Sequence, residues 1–240
     1  MKVDVWSDFA CPFCYIGKRR FEQALKTFDH QDEVEVSFKS FQLDPYAKKE
    51  SDQNIYSVLA KKQGVSIEQA KGFTEQISLQ AKELGLDYRF DTMILTNTFA
   101  AHRLSHYADK QGKMYEMIER ILHAYFTESA KISDYEVLAD LAAEVGLDRN
   151  KSMKVLEDGT FSEDVQNDQQ LASQMGVQGV PFFVFNQKYA VSGAQPSEVF
   201  TEVLNKVYEE EKQASPVQII QPNQSGTSNG GMCDDGSCSI

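Results

Sequence analysis

The stretch SDFACPFCYIG sets two cysteines, Cys11 and Cys14, on either side of Pro12 and Phe13. A thiolate is the nucleophile of disulfide exchange and also a ligand for soft metals. The pair therefore admits four readings: a reactive dithiol, half of a zinc site, a structural disulfide, or two buried apolar side chains. A structural zinc needs four ligands, and no His or Cys stands nearby at a matching short spacing. A disulfide closing so small a loop has little to stabilise in a chain of 240 residues, which is long enough to bury a core unaided.

The elements around the pair favour the dithiol. Val3 and Val5 alternate with polar partners and Trp6 follows, a short strand that stops at the Ser7-Asp8 turn signal. Beyond it, Cys14, Gly17, Phe21, Leu25 and Phe28 recur at spacings of three and four, one stripe of a helix, while Lys18, Arg19, Glu22 and Lys26 fall outside it. That pattern puts Cys14 on the inner face and leaves the sulfur of Cys11 exposed at the helix mouth. Unpaired backbone N–H groups and the positive end of the helix dipole surround a sulfur at that place. They bring a Cys-x-x-Cys thiol down to roughly 3.5 to 7.5 from about 8.5. Cys11 is expected to attack, and Cys14, one turn on, to displace the mixed disulfide. Pro12 suits the first helical position, where its missing N–H costs nothing.

A second strand, VEVSFKSF at residues 34–41, completes a strand-helix-strand opening and predicts parallel pairing. Helical patterns then take over. Ser66 with Gln69 reads as a capping box, and Gly85 as the stop; Ser133 with Glu136 reads as a second, ended by Gly146. Between them Met114, Ile118, Ile121, Leu122 and Tyr125 form an apolar stripe. Strand character returns in GVPFFVFNQKYAVSG, read as a hairpin of Phe182 to Phe185 with Tyr189 to Ser192 about Asn186-Gln187. Pro196 suits the first turn of a last helix carrying Val199, Phe200, Val203, Leu204 and Val207. From residue 213 the chain is rich in Gln, Ser, Gly and Asn and reads as a tail.

This order predicts an α/β protein with a thioredoxin-like fold and a large all-helical insertion between the second and third strands. Residues 1–45 and 176–212 form the thioredoxin-like domain, 46–175 the insertion, and 213–240 a tail with a second cysteine pair. In such a fold Val180-Pro181 is the cis-proline loop, whose unpaired backbone faces the dithiol and pairs with an extended substrate.

Composition narrows the partners. With 24 Lys and Arg against 36 Asp and Glu, the net charge of −12 opposes a nucleic-acid footprint. No apolar run approaches the roughly 18 residues of a membrane span. The start MKVDVWSDF lacks the apolar segment of a secretory signal, so a cytoplasmic location is expected, where structural disulfides are rare. His102 and His106 lie four apart on one helix face, but no third ligand completes a zinc motif, and packing is the expected role. The same holds for Tyr115, Met117 and Tyr125.

Together SDFACPFCYIG, FQLDP, AAHRL, GVQGVPFFVF and VSGAQP resemble the DsbA-like thiol-disulfide oxidoreductases, in particular the FrnE-like branch, over residues 1–210 or so. The resemblance implies Cys11 as nucleophile, Cys14 as resolving thiol and Pro181 as cis-proline, supported by Pro12, Phe13 and Val180. It implies protein thiols and disulfides as partners and no cofactor beyond the cysteines, with glutathione admitted as reductant or co-substrate. Many relatives carry Trp where this chain has Phe13, and the periplasmic oxidant has His. Phe13 cannot stabilise a thiolate, and a nearby Asp8 would oppose one, so a potential below roughly −120 mV is expected. Members of the branch often carry a second C-terminal pair, here Cys233 and Cys238. About 20 coil residues span roughly 25 Å, enough to relay electrons to Cys11 and Cys14. An idle tail, or a thiolate metal site shared by the four cysteines, are the alternatives.

Two other functions stay open. Kappa-class transferases and hydroxychromene-carboxylate isomerases share this fold with its insertion, but typically carry Ser at the first cysteine. A non-catalytic binder would use the cleft between the domains to hold apolar segments.

Overall fold

The computed structural model describes residues 1–49, 51 and 53–213. β1 (Lys2–Ser7) is buried along Val3 to Trp6 because it lies inside a four-stranded sheet of order β2-β1-β3-β4. β2 (Glu35–Ser40) runs parallel to it, with Val3 beside Val36 and Val5 beside Phe38. β3 (Phe182–Phe185) pairs antiparallel on the other side, and β4 (Tyr189–Ser192) forms the edge. The hairpin turn uses Asn186 and Gln187 at φ of 48° and 56°, left-handed values that usually call for glycine. Side-chain bonding compensates: Asn186 Oδ1 accepts from the Lys2 amide at 2.6 Å, and its Nδ2 donates to Glu211 at 2.7 Å.

The helices are α1 (Pro12–Lys26), α2 (Ile55–Gln63), α3 (Ile67–Glu83), α4 (Phe99–Lys110), α5 (Met114–Thr127), α6 (Tyr135–Glu144), α7 (Arg149–Glu157), α8 (Ser162–Gln174) and α9 (Ser197–Gln213). α1 and α9 cover one sheet face, where Phe21 meets Phe183 at 5.5 Å and Phe200 at 5.6 Å. α8 covers the other, and the Trp6 indole donates to the Asp168 carbonyl at 3.0 Å. Helices α2 to α8 all lie between β2 and β3, so the chain has the thioredoxin fold with a helical insertion.

Two local expectations shift. The Ser66 capping box forms, with both hydrogen bonds present. The second start is capped by Asp134 instead of Ser133, the Asp134 carboxylate accepting from the amides of Glu136 and Val137. Aspartate caps as well as serine does, and buried Ser133 donates to the Lys49 carbonyl at 2.8 Å. Pro196 lies one residue outside α9, and its carbonyl accepts from Val199.

A charged clasp joins α1 to α5. Glu119 accepts from Lys18 at 2.6 Å and from Tyr15 at 2.6 Å, and it pairs with Arg19; Lys18 and Arg19 also bond Glu22. Burial works against the Glu119 charge, yet Lys18 and Arg19 hold its carboxyl down to about 2.

Candidate active site

Cys11 is the N-cap of α1, with extended backbone angles of φ −93° and ψ 112°. Its amide donates to the Asp8 carbonyl at 3.1 Å, closing the turn that leaves β1, and Pro12 follows inside the helix. Among the described residues no side chain caps this helix, and no acid stands in its first turn, so the positive helix end is left to the sulfur. Cys14, one turn along, is 2% exposed and accepts from the Asp8 amide at 3.4 Å. Burial first, and then the neighbouring Cys11, push its thiol well above the usual range. Cys11 and Cys14 are not joined by a disulfide.

The sulfur of Cys11 is not exposed as expected: the residue is 4% accessible. The reason lies 169 residues away, where the Val180 carbonyl accepts from Cys11 Sγ at 3.5 Å and covers it. The Val180-Pro181 bond is cis. Gly17 lets α1 approach this loop, since a Cβ there would lie 2.8 Å from Pro181 Cγ. The SGAQ segment closes the same side, with Gly193 donating to the Pro181 carbonyl at 2.8 Å and Arg20 to the Ala194 carbonyl at 2.5 Å. Phe13, between the cysteines, is 39% exposed.

Asp8 is the hub behind the dithiol. Its backbone touches both cysteines, while its carboxylate, 1% exposed, accepts from the Leu43 amide at 2.8 Å and the Ala10 amide at 3.4 Å. His102 Nε2 on α4 lies 3.3 Å from Asp8 Oδ1, a hydrogen bond when that nitrogen carries the proton. Thus the charge expected to oppose thiolate formation is met by two N–H groups and an imidazole. Tyr88 adds a contact that sequence reading missed: its hydroxyl donates to the Pro12 carbonyl at 2.7 Å. Burial, foremost, pushes its phenol far up, so it stays a donor. Nothing local marks Tyr88 for this role.

His106, one turn beyond His102, lies 3.0 Å from Ser40 Oγ and 3.1 Å from Asp168 Oδ2. Both contacts fall on Nε2, whereas a Ser-His-Asp relay needs one on each ring nitrogen. The pair of histidines therefore docks α4: His102 on the loop of the dithiol, His106 on the end of β2. Tyr125 and Met117 are buried in the core, and Tyr115 bonds Glu22 in the clasp. Among the described residues no cluster of three or more His, Cys, Asp or Glu is placed to hold a metal, and no helix is long and apolar enough to cross a membrane. Cys233 and Cys238 lie outside the described residues.

A thioredoxin-type sheet, a helix opening on Cys-Pro-Phe-Cys and a cis-proline facing the first sulfur describe a class of protein. In agreement, the profile of the DSBA-like thioredoxin domain matches residues 2–205, and the chain belongs to that family. The protein YwbO of Bacillus subtilis (strain 168), described as uncharacterized, is 30% identical over 208 residues, covering 85% of this chain and 95% of its own. The crystal structure of a probable DsbA oxidoreductase from Streptomyces coelicolor is 38% identical with a TM-score of 0.85, covering 96% of this chain and all of the other. A 2-hydroxychromene-2-carboxylate isomerase shares the fold alone, at 13% identity and a TM-score of 0.65 over 90% of this chain and 100% of its own.

Proposed function

We propose that this chain is a thiol-disulfide oxidoreductase exchanging disulfides with protein thiols through Cys11 and Cys14. The observation that carries the reading is the inequality of the two sulfurs. Cys14 is buried, and burial together with Cys11 keeps its proton on; Cys11 sits at an uncapped helix end beneath a single carbonyl. In the reductive direction the Cys11 thiolate attacks one sulfur of a substrate disulfide, forming a mixed disulfide and expelling the first substrate thiolate. Cys14 then loses its proton, attacks Cys11 Sγ and expels the second. Two electrons have passed to the substrate, and a Cys11–Cys14 disulfide remains. As Cys14 ionises, the Asp8 amide already points at its sulfur, and this hydrogen bond strengthens with the charge. Oxidation of a substrate dithiol is the same sequence reversed. A low-molecular-weight thiol such as glutathione serves as the recycling partner in the reductive direction.

The isomerase or transferase reading needs a single hydroxyl or thiol to position glutathione, and a second thiol beside the first has no part in it. Replacement of Cys14 by Ser should therefore trap protein partners on Cys11, released by a dithiol and named by mass spectrometry. If no adduct forms and Cys11→Ser leaves disulfide exchange intact, the dithiol reading fails.

The tail pair fits the same scheme. α9 ends beside the start of β1, where Glu211 lies 3.6 Å from the Met1 amino group, and β1 runs from there to the dithiol over about 17 Å. Cys233 follows Gln213 by 20 residues, and a flexible linker of that length reaches roughly 25 Å, which is of the same order. Cys233 and Cys238 replaced by Ser should slow turnover of protein substrates and spare reduction by a small dithiol. Unchanged turnover would remove the relay.

A further inference from the structure

A cavity of about 660 Å³ lies away from the dithiol, where the segment after β2 meets α4, α6 and α8. Although acids outnumber bases by 36 to 24 in the chain, no carboxylate is among its described lining residues, and two cations are: Lys49 and Arg103. Lys49 is exposed, rests its ammonium 5.3 Å from the Tyr135 ring and forms no ion pair among the described residues. Arg103 is the unusual member. It is 4% exposed and meets no acid among the described residues. Its Nη2 donates to the carbonyls of Val155 and Leu156 at 2.9 and 2.6 Å, at the C-terminal end of α7.

Those two bonds fix the guanidinium in place but do not balance it. A helix C-terminus offers about half a negative charge, and Nε is buried without a hydrogen-bond partner among the described residues. Nη1 bonds nothing among the described residues. Burial accordingly lowers the Arg103 pKa, as expected of a cation short of a counter-charge. α4 adds a third positive feature to the same wall. Thr98 gives its helix no side-chain cap; the Asn97 side chain takes the Phe99 amide at 2.9 Å, while the amides of Ala100, which lines the cavity, and Ala101 find no acceptor among the described residues. Gln166, Gln169 and Tyr135 complete a polar rim. A volume of this size suits a small organic molecule.

We infer that this cavity binds the oxyanion of a small organic molecule, a carboxylate or a phosphate, with Arg103 and Lys49 as its counter-charges and the N-terminal amides of α4 as donors. The site is separate from the cysteines and does not rest on their chemistry. Gln42 lines it, and the next amide, Leu43, bonds Asp8, so the occupant lies against the segment that holds the hub of the dithiol.

Citrate and inorganic phosphate, titrated into the full chain by calorimetry and thermal unfolding at an ionic strength fixed with sodium chloride, test this and tell the two anion types apart. One of them should bind saturably and raise Tm. Lys49→Glu should weaken that binding by about tenfold or more, the worth of a charge-assisted contact, whereas Lys26→Glu on α1 should leave it alone. Arg103→Lys should weaken it as well. Because Arg103→Lys also gives up the bonds to α7, the exposed Lys49 decides the matter by itself. The inference is overturned if neither anion binds saturably at about 10 mM, a level that a Kd in the usual metabolite range would saturate, or if binding survives Lys49→Glu within about twofold.

Discussion

At the N-terminal end of α1 the insertion reaches the thioredoxin half through His102 on Asp8 and Tyr88 on the Pro12 carbonyl. Two turns further along the same helix it does so through Glu119, which meets Lys18, Arg19 and Tyr15. The first junction holds one carboxylate, wrapped by N–H groups. The second gathers two cations and two carboxylates, whose formal charges cancel. It lies about 10 Å along the helix axis from Cys11, near one Debye length. A strong clamp whose charges cancel is thus set two turns away from the sulfur, and the contacts at the sulfur itself are left to neutral donors and one imidazole.

Breaking the clasp should have the largest effect on stability and almost none on chemistry. Glu119→Ala leaves Lys18, 3% exposed, short of a partner and should cost about 3 kcal/mol in urea unfolding. The rate of exchange with a test disulfide should move less than about twofold, within the ordinary scatter of a surface change. A matching loss of rate would show that the two junctions are not separable. The pH dependence follows from the sign of the shift. Glu119 has a folded pKa of about 2, below the unfolded value of about 4.3, so its contribution is complete above the latter and lost as pH falls through the former. Wild type should lose it between about pH 4.5 and 2, and Glu119→Ala should show no such loss.

Gly17→Ala lies between the junctions and should touch both properties. The added methyl meets Pro181 Cγ at 2.8 Å, so either α1 or the proline loop must shift. About 2 kcal/mol of overpacking is expected, with slower exchange because Val180 moves relative to Cys11. Normal exchange in a destabilised Gly17→Ala would mean that the loop need not be held so closely.

His102→Gln should act in the opposite sense to the clasp variant, changing chemistry more than stability. Loss of the imidazole leaves the Asp8 charge less compensated beside both sulfurs, which disfavours the thiolate and favours the disulfide. Equilibration with a reference dithiol should shift by up to about tenfold, about 30 mV more reducing, with less than about 1 kcal/mol lost in unfolding. A shift towards a more oxidising dithiol would reverse the role given to His102.

Features encoded by neighbours in the chain were legible in the sequence. Cys11-Pro12-Phe13-Cys14 on a strand-to-helix turn, the Ser66 capping box and the Phe182 to Ser192 hairpin each need only a few adjacent residues to specify them. α2 and α7 were not: each is only nine residues long, α2 buries no residue fully, and α7 buries only Ser152 and Leu156. The hidden part of the site is the part made at a distance. Tyr88 stands 76 residues from Pro12 and His102 stands 94 from Asp8, and no local pattern links such pairs. The burial of Cys11 escaped for the same reason, its cover being Val180.

That separation has a consequence during synthesis. Chains are made at roughly 5 to 20 residues per second, so Val180 leaves the ribosome roughly 10 to 30 seconds after the cysteine it shelters. For that interval the newborn sulfur has no lid, and the insertion emerges while it waits. A nascent chain paused before residue 180 should label at Cys11 with an alkylating reagent faster than the finished protein does.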